Sequence, residues 1–221
     1  MTMRRALSLT VLSLSFLLAV RPQAAFGQKA EDHYNKGTTL LNQGKVSEAI
    51  AELKQAVQMK PDMAPAYFNL GDAYEKKGAL DDAIASYKEA IKVKVDAKYY
   101  LSLGLAYKKK KALTEAVEAY KKAADLDAKN PKVFFNLGNA YQEKDALADA
   151  IVSYNKALSL KYPNPASVYF NLGVACQKKG DNAEAAKAYE AYLKASPRAS
   201  NAKQIQEIIK GLRDQAQQAK K

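Results

Sequence analysis

Few side chains in this sequence could carry out acid–base, nucleophilic or metal chemistry. The 221 residues contain one histidine, His33, and one cysteine, Cys176. Nucleophilic triads and most metal sites need several His, Cys, Asp or Glu side chains held together. Adjacent acids such as Asp81 and Asp82 fall in a predicted turn between helices, where acids ordinarily act as caps. We therefore expect no catalysis, no cofactor, no metal ion and no small-molecule substrate.

The glycines are spread along the chain at a constant period. A tetrapeptide ending in glycine recurs five times, as FNLG at 68–71, 135–138 and 170–173, as LSLG at 101–104 and as YNKG at 34–37. The steps between these glycines are 34, 33, 34 and 35 residues. A period in this range is typical of a solenoid, and glycines spaced in this way do not form a phosphate-binding loop.

Two further columns of residues follow each glycine at fixed distances. An alanine comes twelve residues later and a leucine or tyrosine four residues after that, which gives the columns Ala49, Ala83, Ala116, Ala150, Ala185 and Leu53, Tyr87, Tyr120, Tyr154, Tyr189. Apolar residues at three- and four-residue steps predict helix rather than strand. Each period therefore predicts a helical hairpin. The glycine on its first helix is expected to face the alanine on its second, because close helix packing needs small side chains.

This pattern resembles the tetratricopeptide repeat family. The resemblance rests on the segments AYFNLGDAYEKKGALDDAIASYKEAI, VFFNLGNAYQEKDALADAIVSYNKAL and VYFNLGVACQKKGDNAEAAKAYEAYL and on the closing prolines Pro61 and Pro197. It implies an all-α fold, a right-handed α-α superhelix (solenoid) of five helical hairpins. The repeat domain would span 30–198, with units at about 30–63, 64–96, 97–130, 131–165 and 166–198.

The last residues, 199–221, are predicted to form a capping helix and a basic tail. Five apolar side chains lie on one face of that helix: Ile205, Ile208, Ile209, Leu212 and Ala216. A solenoid needs a polar-backed final helix to cover its open end. In the first unit His33 falls in an apolar column, so a packed or half-exposed terminal histidine is expected. Cys176 falls in a column of tyrosines, which predicts a buried thiol.

In the family that the repeats resemble, the first helices of successive units line a concave groove that holds partner segments. The resemblance places one asparagine per unit in that groove, at Asn35, Asn69, Asn136 and Asn171, with Ser102 interrupting the row. Amide side chains at this spacing could hydrogen-bond the backbone of an extended peptide. The alternative is that the asparagines are an inherited default of the repeat with no binding role.

Further groove candidates lie beside the asparagine row. Asn139 lies one residue beyond the fourth glycine, and Lys98 and Lys132 lie near the starts of their first helices. Four lysines, residues 108–111, end the first helix of the third unit. Such a run is more often a solvated helix end, where cations interact favourably with the helix dipole, than a site for an acidic partner.

The start of the chain predicts export. Arg4 and Arg5 precede an uncharged run from Ala6 to Val20, and Ala25 and Gly27 form a small-residue cleavage site. This pattern is typical of a secretory signal peptide, so residues 1–27 are expected to be cleaved and the protein to be periplasmic or secreted, with a bacterial envelope favoured. Cleavage removes three arginines and no acid, which lowers the formal net charge from +12 to +9. An exported protein rarely meets nucleic acid, so no nucleic-acid partner is expected.

The sequence thus predicts a non-enzymatic protein–protein interaction scaffold or adaptor of the cell envelope, binding protein or peptide segments in the groove. Two alternatives stay open. One is a structural module that associates with itself through its terminal units. The other is a binder of anionic envelope polymers that relies on its lysines.

Overall fold

The computed structural model describes residues 27–218, and every regular element in this range is an α-helix. The eleven helices are α1 (27–42), α2 (Val46–Met59), α3 (Ala64–Lys77), α4 (Leu80–Val93), α5 (Ala97–Lys109), α6 (Leu113–Leu126), α7 (Pro131–Glu143), α8 (Leu147–Ser159), α9 (Pro165–Lys179), α10 (Asn182–Ala195) and α11 (Ala202–Gln218). The predicted signal peptide, apart from Gly27, and the last three residues of the predicted tail lie outside the described residues.

The chain divides between Val95 and Asp96 into two compact units. The N-terminal unit contains two hairpins, α1/α2 and α3/α4, in which α2 also packs on α3. The C-terminal unit contains three hairpins, α5/α6, α7/α8 and α9/α10, and then α11, which packs on α10. Within each unit, neighbouring helices pack as in a helical-repeat solenoid, which confirms the predicted all-helical hairpin fold.

The alanine column forms the centre of the hairpins. Ala49, Ala83, Ala116, Ala150 and Ala185 are each fully buried. Each glycine lies nearest to the leucine or tyrosine of its own hairpin, a contact that the predicted glycine–alanine pairing did not include. A Cβ added to Gly37 would lie 2.7 Å from Leu53 Cγ, and one added to Gly138 would lie 2.6 Å from Tyr154 Cε1. The missing side chain thus makes room for a ring laid across the backbone of the first helix.

The turn between the helices of a hairpin needs one residue with positive φ. Glycine takes this place in three hairpins, at Gly44, Gly78 and Gly180, with φ between 77° and 86°. Lys111 and Asp145 take it in the other two, with φ of 63° and 61°. A left-handed residue after the last helical turn satisfies carbonyl groups that the helix leaves unpaired, and glycine adopts this conformation without steric cost.

The two residues with potential chemistry have structural surroundings. The half-buried His33 lies 2.6 Å from Glu52 Oε2 through its Nδ1, and Lys36 Nζ lies 2.6 Å from Glu52 Oε1, so α1 is joined to α2 by a three-residue polar cluster. Cys176 is 3 % exposed. Burial, with the nearby charges of Asp181 and Glu184, raises the pKa of the Cys176 thiol to about 11, which disfavours the reactive thiolate.

The final helix, α11, covers the last hairpin of the C-terminal unit. Ile205, Ile209 and Leu212 are buried against α10 and its neighbours, whereas Ile208 is half-buried. Polar contacts hold the same two helices together, since Asn182 donates to Gln215 and Arg213 pairs with Glu190.

Candidate partner-binding face

The first helices of the C-terminal unit bring six half-buried side chains into one strip. Helix α7 packs against both α5 and α9. The strip, termed here the first-helix face, takes two residues from each helix: Leu101 and Leu105, Phe135 and Asn139, Phe170 and Val174. Members of each pair are four residues apart, so they lie on the same side of their helix. Five apolar side chains that are only partly covered, with one amide among them, suit contact with another polypeptide.

A buried hydroxyl fixes the orientation of Asn139 on this face and of Gln142, three residues further along α7. The Tyr154 hydroxyl lies 2.8 Å from Asn139 Oδ1 and 2.9 Å from Gln142 Oε1, and its hydrogen is shared between them. Asn139 Oδ1 also accepts from Asn171 Nδ2 at 2.9 Å. Burial raises the pKa of Tyr154, so its hydroxyl keeps its proton. Because the carbonyl oxygens of Asn139 and Gln142 point towards Tyr154, their NH₂ groups are directed away from it.

The last hairpin keeps one of these two amides, since Val174 takes the place of Asn139, and the second hairpin of the N-terminal unit has acids instead. The Tyr189 hydroxyl donates to Gln177 Oε1 at 3.0 Å. In the N-terminal unit the Tyr87 hydroxyl donates instead to two acids, Asp72 Oδ1 at 2.7 Å and Glu75 Oε2 at 3.0 Å. The last two hairpins of the C-terminal unit thus carry oriented amide donors where α3 of the N-terminal unit carries carboxylates.

The four asparagines of the predicted row differ in the contacts that they make. Asn69 Nδ2 donates to Thr38 Oγ1 at 2.9 Å and Asn171 Nδ2 donates to Asn139 Oδ1, so both join first helices of adjacent repeats. Asn136 Nδ2 donates to the carbonyl of Lys132 in its own helix at 2.9 Å, and Asn35 is exposed. Asn69 and Asn171 are half-buried and already hydrogen-bonded within the fold.

The residue one repeat earlier decides which contact an asparagine makes. Asn69 and Asn171 follow repeats that supply a polar acceptor, Thr38 or Asn139. The corresponding residue before Asn136 is Leu105, which has no acceptor. Asn136 therefore satisfies its amide within its own helix, because a polar group near an apolar neighbour must find another partner.

The predicted lysines differ in their surroundings. Lys98 and Lys132 are exposed at the starts of α5 and α7, where their backbone N–H groups are capped by the side chains of Asp96 and Asn130. In the four-lysine run, two members pair with one acid on α7. Lys108 Nζ lies 3.3 Å from Glu143 Oε1, and Lys111 Nζ lies 3.1 Å from Glu143 Oε2. The first and last lysines of the run thus join the end of α5 and the turn after it to α7.

Beyond Phe170, the first-helix face continues into a pocket of about 380 Å³ between α9, α10 and the segment that precedes α11. Tyr192, which replaces an alanine of the earlier repeats, forms one wall and packs edge-on against Phe170, with ring centroids 5.3 Å apart. The Tyr192 hydroxyl donates to Asn201 Oδ1 at 2.8 Å. Asn164, Ser167 and Asn171 supply polar groups to the same pocket.

Two site residues, Gln142 and Gln177, were missed by the sequence reasoning. Both lie four residues after a repeat glycine and twelve before the tyrosine that orients them. That fixed spacing is the signal that could have identified them. Among residues 27–218, no group of three or more His, Cys, Asp or Glu side chains is placed to hold a metal ion. Within the same range no helix combines the length and the apolar character that a membrane crossing requires.

Family models agree with this repeated geometry. A tetratricopeptide repeat model matches residues 34–94 and 135–200, more than half of the chain, and a second TPR repeat model matches residues 104–145. The chain belongs to the tetratricopeptide repeat family. Comparison with curated proteins gave no match.

Solved structures of tetratricopeptide repeat proteins are similar in fold. The crystal structure of MamA protein matches with a TM-score of 0.73 and 26% identity, over 80% of this chain and 96% of that one. YrrB, described as a TPR protein with an unusual peptide-binding site, matches with a TM-score of 0.71 and 18% identity, over 83% of this chain and 98% of that one. Pseudomonas aeruginosa pilF matches with a TM-score of 0.68 and 20% identity, over 88% and 90%. Members of this repeat family act in general as protein-interaction scaffolds.

Proposed function

We propose that the protein is a non-enzymatic adaptor of the cell envelope that holds an extended protein segment along the first-helix face of its C-terminal unit. The observation that carries this proposal is the orientation of the amides. Tyr154 and Tyr189 hold the carbonyl oxygens of Asn139, Gln142 and Gln177, so the NH₂ groups of these amides point away from the buried hydroxyls.

The chemistry of the face selects the kind of partner. Backbone carbonyl groups of an extended chain need hydrogen-bond donors, and the three oriented amides supply them without depending on the partner's sequence. Apolar side chains of the same segment would cover Leu101, Phe135 and Phe170. Preorganised donors lose little freedom on binding, which favours affinity. YrrB, with its unusual peptide-binding site, gives a precedent for peptide binding in this fold.

The envelope location rests on the basic, apolar and small-residue pattern of residues 1–27. If it is a signal peptide, the mature chain begins at Gln28. Mass spectrometry of the protein from fractionated cells measures this directly. Recovery of the intact chain with the cytoplasmic fraction would contradict the envelope location but not the proposed interaction face.

Site-specific crosslinking in intact cells identifies the partner. A photo-reactive benzoyl-phenylalanine replaces Phe135, whose half-buried ring lies in the middle of the face. The control places the same group at Val152, which is 68 % exposed on α8. The proposal predicts a defined protein adduct from position 135 that is absent from position 152. Capture of a second copy would favour the self-association alternative, and identical adducts at both positions would contradict the first-helix face.

Asn139→Asp then tests the donor role on the captured partner. The change keeps the oxygen that Tyr154 and Asn171 contact and removes the NH₂ group. The fold tolerates it at this repeat position, because Asp72 accepts from Tyr87 in the same way. Binding should weaken about tenfold, since one lost hydrogen bond and a new charge facing carbonyl oxygens together cost about 1.4 kcal/mol. Gln204→Glu, at an exposed position on α11, controls for charge alone. Equal loss in both variants would show that charge, not the donor, governs binding.

A further inference from the structure

A second pocket lies on a different side of α9 from the first-helix face. It has a volume of about 260 Å³ and lies between α8, α9 and α10. Tyr169, Leu172 and Cys176 line it from α9, and Asn155 lines it from α8. These α9 residues are three and four positions apart, so they share one side of the helix, which Phe170 and Asn171 do not.

We use the term junction for the place where the second helix of one hairpin packs on the first helix of the next. Comparison with the earlier junctions shows which side chains this pocket lacks. In the second, third and fourth repeats the residue three positions after the glycine is a tyrosine, and in the fifth it is Cys176. In the first, second and third repeats the residue seventeen positions after the glycine is a lysine, and in the fourth it is Asn155. Between α6 and α7 the pair is present, with Lys121 Nζ 5.9 Å from the centre of the Tyr141 ring. Between α2 and α3 it is present again, with Lys54 Nζ 5.7 Å from the centre of the Tyr74 ring.

The acidic member of the junction remains although the ring and the cation are replaced. Asp82 and Asp149 carry charges that act on Lys54 and Lys121 in the complete junctions. Glu184 takes the corresponding position in the pocket, and Asp181 adds a second carboxylate. Lys187 pairs with Glu184 and Lys179 pairs with Asp181, each at 2.7 Å. Both lysines belong to α9 or α10, so neither takes the place of the lysine that Asn155 replaces.

We propose that the Cys176 pocket receives an aromatic side chain lying next to a basic side chain of a partner protein. The occupant would restore the ring and the ammonium group that Tyr141 and Lys121 supply one repeat earlier. The size is adequate, because a cavity of about 150 Å³ already holds a benzene molecule. The attraction of a cation to an aromatic face and to nearby carboxylates is the same chemistry that the complete junctions use. This site is separate from the first-helix face, so either can be present without the other.

Tyramine, a phenol carrying an ammonium group, is a suitable probe, and titration calorimetry on the purified protein measures its binding. One equivalent should bind with millimolar affinity, as is usual for a ligand of this size. 4-Hydroxyphenylacetate has the same ring with a negative charge and should bind about tenfold more weakly. Absence of tyramine binding would overturn the proposal, and equal binding of the two probes would overturn its basic component.

Two variants locate the binding. Cys176→Tyr with Asn155→Lys fills the pocket with the residues of the complete junctions, and tyramine binding should fall by about tenfold or more. Tyr141→Cys with Lys121→Asn creates the same vacancy between α6, α7 and α8, and the stoichiometry should rise towards two. The first variant adds packing and is expected to fold, so the test stands if the second does not. Unchanged tyramine binding in the first variant would show that the ligand binds elsewhere.

Protection of the thiol gives an independent readout. Cys176 is the chain's only cysteine, so alkylation reports on this pocket alone. Tyramine at saturating concentration should slow the reaction of Cys176 with iodoacetamide several-fold, whereas the same concentration of 4-hydroxyphenylacetate should not. An unchanged alkylation rate, together with measured tyramine binding, would contradict the assignment of the ligand to this pocket.

Discussion

The ring of Tyr154 lies against the backbone of Gly138 so closely that a Cβ on Gly138 would come within 2.6 Å of Tyr154 Cε1. The same relationship holds at 2.5–2.8 Å for the other tyrosine-containing hairpins. Tyr154 is fully buried and its hydroxyl is hydrogen-bonded, so its ring cannot move away from an added Cβ without disturbing its neighbours. This contact explains why glycine, which weakens a helix, recurs at every first helix.

Gly138→Ala is therefore expected to destabilise the protein. Alanine normally improves a helix by about 1 kcal/mol relative to glycine, but overpacking a filled core costs about 1–3 kcal/mol. Thermal or denaturant unfolding measures the net effect. Gly211→Ala in α11 is the matched control, because nothing lies within 4 Å of the added Cβ, and it should stabilise. A Gly138→Ala variant as stable as the parent would show that the ring can move away.

Asp145→Gly is expected to stabilise the protein by about 0.5–1 kcal/mol. Asp145 has φ of 61° at the turn position that glycine occupies in three other hairpins. A side chain at positive φ carries a steric cost that glycine avoids, partly offset by the greater freedom of glycine in the unfolded chain. Chemical denaturation gives the difference in the free energy of unfolding. Asp145→Ala keeps the unfavourable conformation and should bring no gain.

Glu52→Gln is expected to remove a pH-dependent part of the stability of the N-terminal unit. Hydrogen bonds from Lys36 and then His33 lower the pKa of Glu52 below its ordinary value of 4.5. A lowered pKa in the folded state means that the stabilisation is fully present above pH 4.5 and is lost as the pH falls through the folded-state pKa. The parent should therefore melt at a higher temperature than the variant at neutral pH, and the gap should close in acid.

The exposed Glu207 on α11 provides the control for this titration, measured as melting temperature against pH for Glu207→Gln. That variant should follow the parent curve at all pH values. A constant gap between the parent and Glu52→Gln down to strongly acidic pH would mean that packing, rather than the charge of Glu52, stabilises the α1/α2 hairpin.

The hairpins and their core were predictable because the same residue spacing occurs five times, whereas the secondary structure of one unit alone would be ambiguous. Three aligned columns, of glycine, alanine and ring or leucine residues, each repeated five times, specify two helices and a turn. The side chain that lies nearest each glycine was not predicted. Sequence spacing tells which residues share a helix face, but it does not tell which side chain of the second helix reaches across, and a tyrosine ring extends further than the neighbouring alanine methyl group.

The candidate site was less predictable because its contacts join different repeats. Whether an asparagine is bound within the fold depends on the residue about one repeat earlier, such as Thr38 before Asn69 or Leu105 before Asn136. The donors at Gln142 and Gln177 depend on hydroxyl groups twelve residues later. Each relation is simple once the packing is known, but a single sequence offers many equivalent spacings and no means of choosing between them.

Tyr154→Phe tests whether the orientation of the amides, rather than their presence, gives the first-helix face its affinity. Tyr154 is fully buried, so its hydroxyl cannot touch a partner. Its removal leaves Asn139 and Gln142 in place but releases their carbonyl oxygens, and stability should fall by about 0.5–1.5 kcal/mol. Binding of the crosslinked partner should weaken about three- to tenfold, because the amides must then be ordered on binding.

Tyr87→Phe in the N-terminal unit is the control, since its hydroxyl contacts the acids Asp72 and Glu75 rather than amides. It should lose stability to a similar extent and keep the affinity for a partner held by the C-terminal unit. Unfolding and binding are measured on the same preparations, at a temperature where both variants are fully folded. Equal affinity of Tyr154→Phe and the parent would show that the amides find their partners without the hydroxyl, and the apolar side chains of the face would then carry the binding.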